Sequence, residues 1–378
     1  MPISRRRLIV GAGATSLALM GGAGFWRVTR KPETAGLPWQ LASTPPADVR
    51  LDAFRHAILA PNPHNRQPWL IQLVGKDEAI ITCDLNKRLP ETDPFDRQIT
   101  IGFGTFLELA RIAALQRGVR MEITPFPDGE GQPRLDQRAV ARLRFTVDPS
   151  GARDPLFPFI TQRHTNRLVY DATRTVSADL IEKMVSAPDE YSIDPKAISP
   201  LRHIAINAIR TEQLTHRTHM ESVNLMRIGH SEIDANPDGL ALSGPFMETL
   251  VLAGQLDREQ LADPSSTAFK KGLDLQAEAY GSIPALFWVK TPGNTRADQL
   301  EAGRRYVRAQ LQATAFNLAV HPMSQSLQEY AEVSKDFAAI HAELGMRGKE
   351  RIQMFARVGY AQPVLPAARW PLGKHIIS

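Results

Sequence analysis

Three side chains within five positions of QRHTNRLVYD (162–171) are suited to holding an anion: Arg163, Thr165 and Arg167. Two guanidiniums four residues apart share one face of a helical turn, and a hydroxyl between them adds a further donor for a phosphate. Backbone N–H groups at the start of a helix would strengthen that pull. The same spacing fits a solvated surface arginine pair equally well, and spacing alone does not separate the two. A second stretch, APNPHNRQPW (60–69), sets Asn65, Gln67 and Trp69 behind two prolines. Read as chemistry, its two amides offer hydrogen bonds to the edge of a flat ligand without adding charge. Read as architecture, it is a turn that drops Trp69 into the core.

The elements that must position these stretches read as mixed helix and strand. VRLDAFRHAILA predicts a helix stopped by the prolines after it, and LIQLV and AIITC predict two strands across the turn GKDE. GFGTFLELARIAALQRG predicts a helix led by Gly102 and Gly104, with Phe106, Leu109, Ala110 and Ala113 on one stripe and Gly118 at its end. Strands follow near 120–124 and 140–147. Beyond about residue 155, helices are expected at 178–187 and 211–228, and IPALFWV (283–289) reads as a buried strand. A helix over 303–320 would turn Val307, Leu311, Ala315 and Leu318 inward and put Arg304 and Arg308 on another face. The two glycine-led helices hold similar places, which predicts two related α+β halves, 48–150 and 151–378, packed as a pseudo-dimer. Stretches at 190–200 and 229–275 are rich in Pro, Asp, Ser and Gly and read as insertions or a lid.

Composition bounds the rest. The 378 residues are 43% hydrophobic and 22% charged, enough for two lobes or one large fold. The net charge of +5 belongs to the N-terminus, where Arg5, Arg6, Arg7, Arg27, Arg30 and Lys31 precede the first acid, Glu33. The other 39 basic residues face 40 acidic ones, so the body gives no sign of a nucleic-acid partner. Cys83 is the single cysteine, which excludes an intramolecular disulfide. HRTH (216–219) pairs two histidines without supporting ligands and reads as solvated or packed.

The opening SRRRLIVGAGATSLALMGGAGFW is a basic cluster followed by an uncharged run, Leu8 to Trp26, the layout of an export signal. It resembles a twin-arginine signal, which implies the twin-arginine export machinery as a partner and an exported, periplasmic or outward-facing anchored protein. Nineteen uncharged residues would span roughly 28 Å as a helix, so residues 8–26 also suit a membrane anchor. Residues 1–31 are thus signal or anchor, with 32–47 a linker. GAGATS (11–16) lacks the third glycine and the preceding strand of a dinucleotide site.

Arg-His-Thr-Asn-Arg (163–167) resembles the phosphate and ribityl motif of the nitroreductase family, and Pro61, Asn65, Gln67, Pro68 and Trp69 resemble its Asn-x-Gln-Pro-Trp motif. The 303–320 helix and PAARWPL (366–372) are similar to the family's late core helix and C-terminal arginine segment. The motif order is reversed, as in the fused tandem (Acg-type) branch, where one chain supplies both halves of the usual homodimer. The resemblance implies bound FMN and a nitroreductase-like fold. Arg163 and Arg167 would hold the phosphate, with His164 and Thr165 near the phosphate and ribityl chain. Asn65 and Gln67 would face the ring, Arg369 would close on the phosphate, and Met323 and Ser324, in the turn HPMS, would bring backbone to the flavin.

Asn62 and Pro63 stand where the family has Ser, and Ala319 to His321 where it has Gly-Leu-Gly. The implied activity is an FMN-dependent oxidoreductase moving electrons between a small-molecule donor and a nitroaromatic, quinone or similar acceptor, with no side chain assigned as acid or base. A non-catalytic flavin-binding or flavin-sequestering protein is the alternative. One flavin per chain is expected, in a monomeric pseudo-dimer or a homodimer.

Overall fold

A computed structural model describes residues 29–41 and 44–378. The signal or anchor expected at 1–31 therefore falls, except for Thr29 to Lys31, outside the described residues.

The chain runs α1 (Val49–Ala57), β1 (Trp69–Val74), β2 (Glu78–Cys83), α2 (Arg97–Gln116), β3 (Val119–Pro125) and β4 (Ala141–Val147). It continues through α3 (Ala178–Met184), β5 (Glu190–Ser192), α4 (Pro195–Leu214), α5 (His216–Asn224), β6 (Met226–Ile228), α6 (Gly229–Ala235), β7 (Leu240–Leu242) and α7 (Pro245–Leu252). Then come α8 (Arg258–Ala262), α9 (Thr267–Gly281), β8 (Ala285–Thr291), α10 (Arg296–Ala315), β9 (Ala319–Pro322), α11 (Ser334–Glu343), β10 (Arg351–Gly359) and β11 (Ile376–Ile377).

The fold is α+β. Its first sheet has the order β11-β1-β2-β4-β3 and its second β5-β8-β10-β9; β6 and β7 form a separate parallel pair. Without β11, both sheets read first, second, fourth, third, with every pairing antiparallel. In each, a long helix links the second strand to the third. Alternation shows in β4 of the first sheet: Ala141, Leu143 and Phe145 point inward while Arg142, Arg144 and Thr146 face water. The second sheet is covered on both faces. Ala285, Phe287 and Val289 pack on the side of α10, and Leu286 and Trp288 pack on the side of α4.

The long helices α2 and α10 cross at glycines. A Cβ on Gly104 would lie 2.0 Å from the Leu300 carbonyl oxygen, and one on Gly303 would lie 2.0 Å from that of Ile101. Each glycine thus meets the carbonyl three residues before the other, as a local twofold requires. Real Cβ atoms do not come that close, so only glycine permits this crossing.

Several predicted boundaries move. Both long helices begin earlier than their glycines, at Arg97 and Arg296, because the glycines serve the crossing and not the helix starts. Thr295 and Asp298 form a capping box at the start of α10, which ends at Ala315 and leaves Leu318 beyond it. Residues 195–200 are not an irregular insertion. Asp194 caps Lys196 N–H and Pro195 occupies the first turn, so the proline-rich run opens α4. The stretch 229–275 is largely helical, holding α6, α7, α8 and part of α9. Finally, β11 pairs in parallel with β1, so a late strand completes the first sheet.

Candidate functional site

Seven arginines are buried among the described residues, and they divide by partner. Arg50 pairs with Asp48, Arg66 with Asp238 and Arg97 with Glu329; Arg296 lies in the field of Asp96, Asp93 and Glu130. The remaining three, Arg163, Arg357 and Arg369, have no carboxylate within ion-pair distance and none among the groups that shift them. Burying a guanidinium without a counter-charge costs several kcal/mol by any reasonable measure, on the order of an unpaired buried ion.

These three join one belt. Arg163 and Arg369 each donate to the Leu59 carbonyl at 3.0 Å, and Arg163 also donates to Gln310 Oε1 at 3.0 Å. Arg369 further bonds the Ile58 and Ala60 carbonyls and Asn65 Oδ1. Those carbonyls follow α1, whose dipole end supplies about half a negative charge against two guanidiniums. Burial pushes Arg163 down to about 10 and Arg369 down to about 9. An arginine does not shed its proton at such values in practice, so an anion beside them would relieve the stress. Tyr306 lies in the field of both Arg163 and Arg167. Arg167 is exposed, yet desolvation by the surrounding protein still pushes its guanidinium down. Beyond it stand His64, held to Ser222 Oγ at 3.0 Å, and His321.

His321 takes a proton from neither neighbour. Arg357 Nε donates to His321 Nδ1 at 3.2 Å, which fixes the neutral ring with its hydrogen on Nε2. Burial, then Arg167 and Arg357, hold its pKa well below the ordinary value. Arg357 is itself fixed by the carbonyls of Ala279, Ser282 and Leu168 and lies over the Tyr170 ring, 3.9 Å from its centroid.

Donors around this belt lack acceptors. Arg163 Nε, Tyr306 Oη, Gln310 Nε2 and His164 Nδ1 are all buried without a hydrogen-bond partner. Tyr306 and Gln310 are four apart on α10, one face of the helix. The set fits an acceptor-rich anion.

The segment carrying Arg163 and Arg167 is not a helical turn. It runs extended, bridging Thr165 to Val320, with Asn166 N–H on the Val320 carbonyl at 3.0 Å. That pairing with β9 separates the two guanidiniums, sending Arg163 toward α10 and leaving Arg167 at the tyrosines. His164 meets the Trp39 ring edge-on at 4.9 Å.

Asn65 and Gln67 sit beside the belt, but their amides are engaged within the chain. Asn65 Nδ2 donates to the Ala368 carbonyl at 2.9 Å. Gln67 Nε2 donates to Pro237 in the insertion at 2.7 Å, and its Oε1 accepts from Trp370 N–H. His64, Asn65 and Gln67 have φ of 46°, 52° and 51°, the left-handed region that costs non-glycine residues on the order of 1–3 kcal/mol each. Three such residues in four positions mark a loop over-determined by its surroundings. Met323 is fully buried and its N–H bonds the Phe355 carbonyl, while Ser324 opens a short 3-10 turn. The Met323 N–H is thus already engaged within the chain.

Sequence reasoning missed Tyr306, Gln310, His321 as a side chain, and Arg357. Two signals were present: an i, i+4 polar pair on an otherwise packed helix, and Arg357 amid the apolar residues MFARV of a strand.

No family model matches the chain. A Mycobacterium tuberculosis protein named "Putative NAD(P)H nitroreductase" is 25% identical over 336 residues, covering 87% of this chain and 91% of that protein. An uncharacterized protein of the same organism is 24% identical over 331 residues, covering 84% and 89%. Among solved structures, the FMN-dependent nitroreductase of Mycobacterium smegmatis in complex with NADPH aligns over 57% of this chain and 94% of its own, at 17% identity and a TM-score of 0.34. A nitroreductase-like family protein from Bacillus cereus aligns over 59% and 95%, at 13% identity and a TM-score of 0.33.

Proposed function

We propose that this chain is an FMN-dependent oxidoreductase of nitroreductase type, with both halves of a pseudo-dimer on one polypeptide. The observation that carries the proposal is the belt of buried guanidiniums without carboxylates, set between the α1 end, the 163–167 segment and α10. FMN brings a dianionic phosphate to such a site and, when bound, supplies the redox chemistry. Arg163, with Tyr306, Gln310 and His164, would take phosphate oxygens; Thr165 and Arg167 would line the path toward the cleft. Arg369 would act mainly through the field it adds and by holding the strained Asn65 loop. His321 would present a neutral N–H donor to the cleft. The acceptor class is nitroaromatic, quinone or similar. Repetition of one strand order and the glycine crossing support the fused-halves reading, and the N-terminal sequence supports export by the twin-arginine route.

One feature favours the alternative of a flavin-sequestering protein. Residues Pro237 to Gly239 of the insertion lie on the Asn65 loop, with Arg66, Lys87 and Arg227 all paired to Asp238. Absorption of the purified chain, before and after anaerobic NADPH, separates the readings. Flavin bands that bleach support the enzyme; bands that persist support sequestration or another donor. A chain that neither carries nor binds FMN refutes both.

A further inference from the structure

The helix α7 is made of Pro245, Phe246, Met247, Glu248, Thr249, Leu250, Val251 and Leu252. Its one acid, Glu248, is buried and turned inward, accepting from His230 N–H at 2.7 Å. Phe246 and Leu252 are 61% and 42% exposed, Met247, Leu250 and Val251 are half-buried, and none of the five joins a hydrophobic core cluster. An uncharged apolar face of this kind on a water-exposed helix marks an interaction surface.

What lies next to α7 identifies the partner. Helix α6 packs against it through His230, and four residues further along the same helix Asp234 accepts the N–H groups of Glu33, Thr34 and Ala35 at 2.8–3.0 Å. Four helical residues advance roughly 6 Å, so α7 and the N-terminal segment flank one short helix. Residue 33 is preceded in sequence by Lys31, Arg30 and Arg27 and then by the uncharged run Leu8 to Trp26. Glu33 lies seven positions beyond Trp26, a reach of about 25 Å at most. Any bilayer that takes up residues 8–26 therefore lies close to α7, with the basic residues at headgroup depth.

We propose that α7 is a lipid-contacting face, lying in the surface of the membrane that holds the N-terminal segment. The inference rests on the anchor reading of residues 8–26 and is independent of the flavin reading. Seated this way, α7 would insert its apolar side chains to the headgroup boundary, as interfacial helices do, and orient the insertion toward the bilayer.

The test uses the full chain reconstituted into phosphatidylcholine vesicles containing anionic lipid, with and without brominated acyl chains. An environment-sensitive dye is attached in separate proteins through Leu252→Cys, Phe246→Cys or Val147→Cys; the native Cys83 is buried and its thiol is pushed up by burial, so it stays unlabelled. Val147 is exposed on the first sheet and serves as the aqueous reference. Several-fold stronger bromine quenching at 252 and 246 than at 147 is expected. Vesicle association with equal quenching at all three positions overturns the proposal and leaves the anchor standing. A dye at 252 that reports an apolar site unquenched by bromine, together with a dimer by light scattering, assigns the face to a second copy instead. A chain that does not associate with vesicles sinks the face and the anchor together.

Discussion

Helix α10 carries arginine chemistry on two flanks, and the two are handled in opposite ways. On one flank, Arg308 donates to Glu108 at 2.8 Å and Asp154 at 2.7 Å, Arg111 forms a two-point pair with Glu108, and Arg304 pairs with Glu301. Every cation there has an acid, and the cluster is closed. On the other flank, Tyr306 and Gln310 face Arg163 with donors unused and no acid near. The difference teaches what a guanidinium is for. The closed flank supplies its own counter-charge, whereas Arg163 has none within the chain and is open to one from outside. Glu212 sharpens the rule from the other sign. It is buried, bonded by Gln328 at 2.7 Å, acted on by no Lys or Arg, and burial pushes its carboxyl up to about 7. A lone carboxyl can relieve itself by taking a proton, which a lone guanidinium cannot do by losing one.

The comparison depends first on the crossing that holds α10 in place. Gly303→Ala or Gly104→Ala forces a Cβ into a carbonyl, and a loss of at least ~3 kcal/mol in chemical denaturation is expected. A small loss would mean the helices can slide, and the two flanks would not be fixed. Next, Arg163→Ala should weaken FMN binding by roughly 30-fold or more, the effect of removing one charge-assisted anion contact of about 2–3 kcal/mol, read by fluorescence titration. Parent-like affinity would refute the belt as the phosphate site. The matched change, Arg308→Ala, leaves Glu108 and Asp154 facing each other and should cost about 1–3 kcal/mol of stability, discounted because Arg308 is partly exposed, with FMN affinity unaltered. If Arg308→Ala instead weakens FMN, the flanks are not distinct.

Glu212 gives a smaller, pH-resolved effect. Its folded-state value lies above the unfolded one, so both states are protonated below about pH 4 and no cost arises there. As pH rises toward 7 the unfolded chain ionises first and stability falls, reaching its full loss above 7. Glu212→Gln should therefore remove on the order of 1–2 kcal/mol of destabilisation at pH 8 and little at pH 4, seen as a flatter Tm–pH curve. The smallest effect is a gain in Tm of a few degrees on adding millimolar inorganic phosphate, by binding linkage. Arg163→Ala should abolish that gain and Arg308→Ala should retain it.

Much of the scaffold is legible in the residues. Alternation in ARLRFTV and the hairpin around GKDE decide strands locally, and GFGTFLELARIAAL shows its apolar stripe. Helix starts were misplaced because Gly104 and Gly303 answer to a partner helix far away in sequence. Arg163 and Arg167 could be read as an anion pair or a surface pair, and their conformation is set by Val320, over 150 positions distant. Arg163 and Arg308 look alike on paper; only the fold reveals which has acids. Asn65 and Gln67 were expected to face a ring, whereas their amides bond Ala368, Trp370 and Pro237, partners from distant segments that the local sequence does not show.

The parallel strand β11 has a consequence for biosynthesis. The first sheet begins at residue 69 but gains its edge only from Ile376 and Ile377, and Arg369 reaches the α1 carbonyls seven residues before that strand. A ribosome must translate past residue 369 before the arginine can dock and past residue 377 before the strand can. The nascent chain therefore emerges with Arg163 and the strained Asn65 loop unlatched, and both wait for segments made some 200 to 300 positions later.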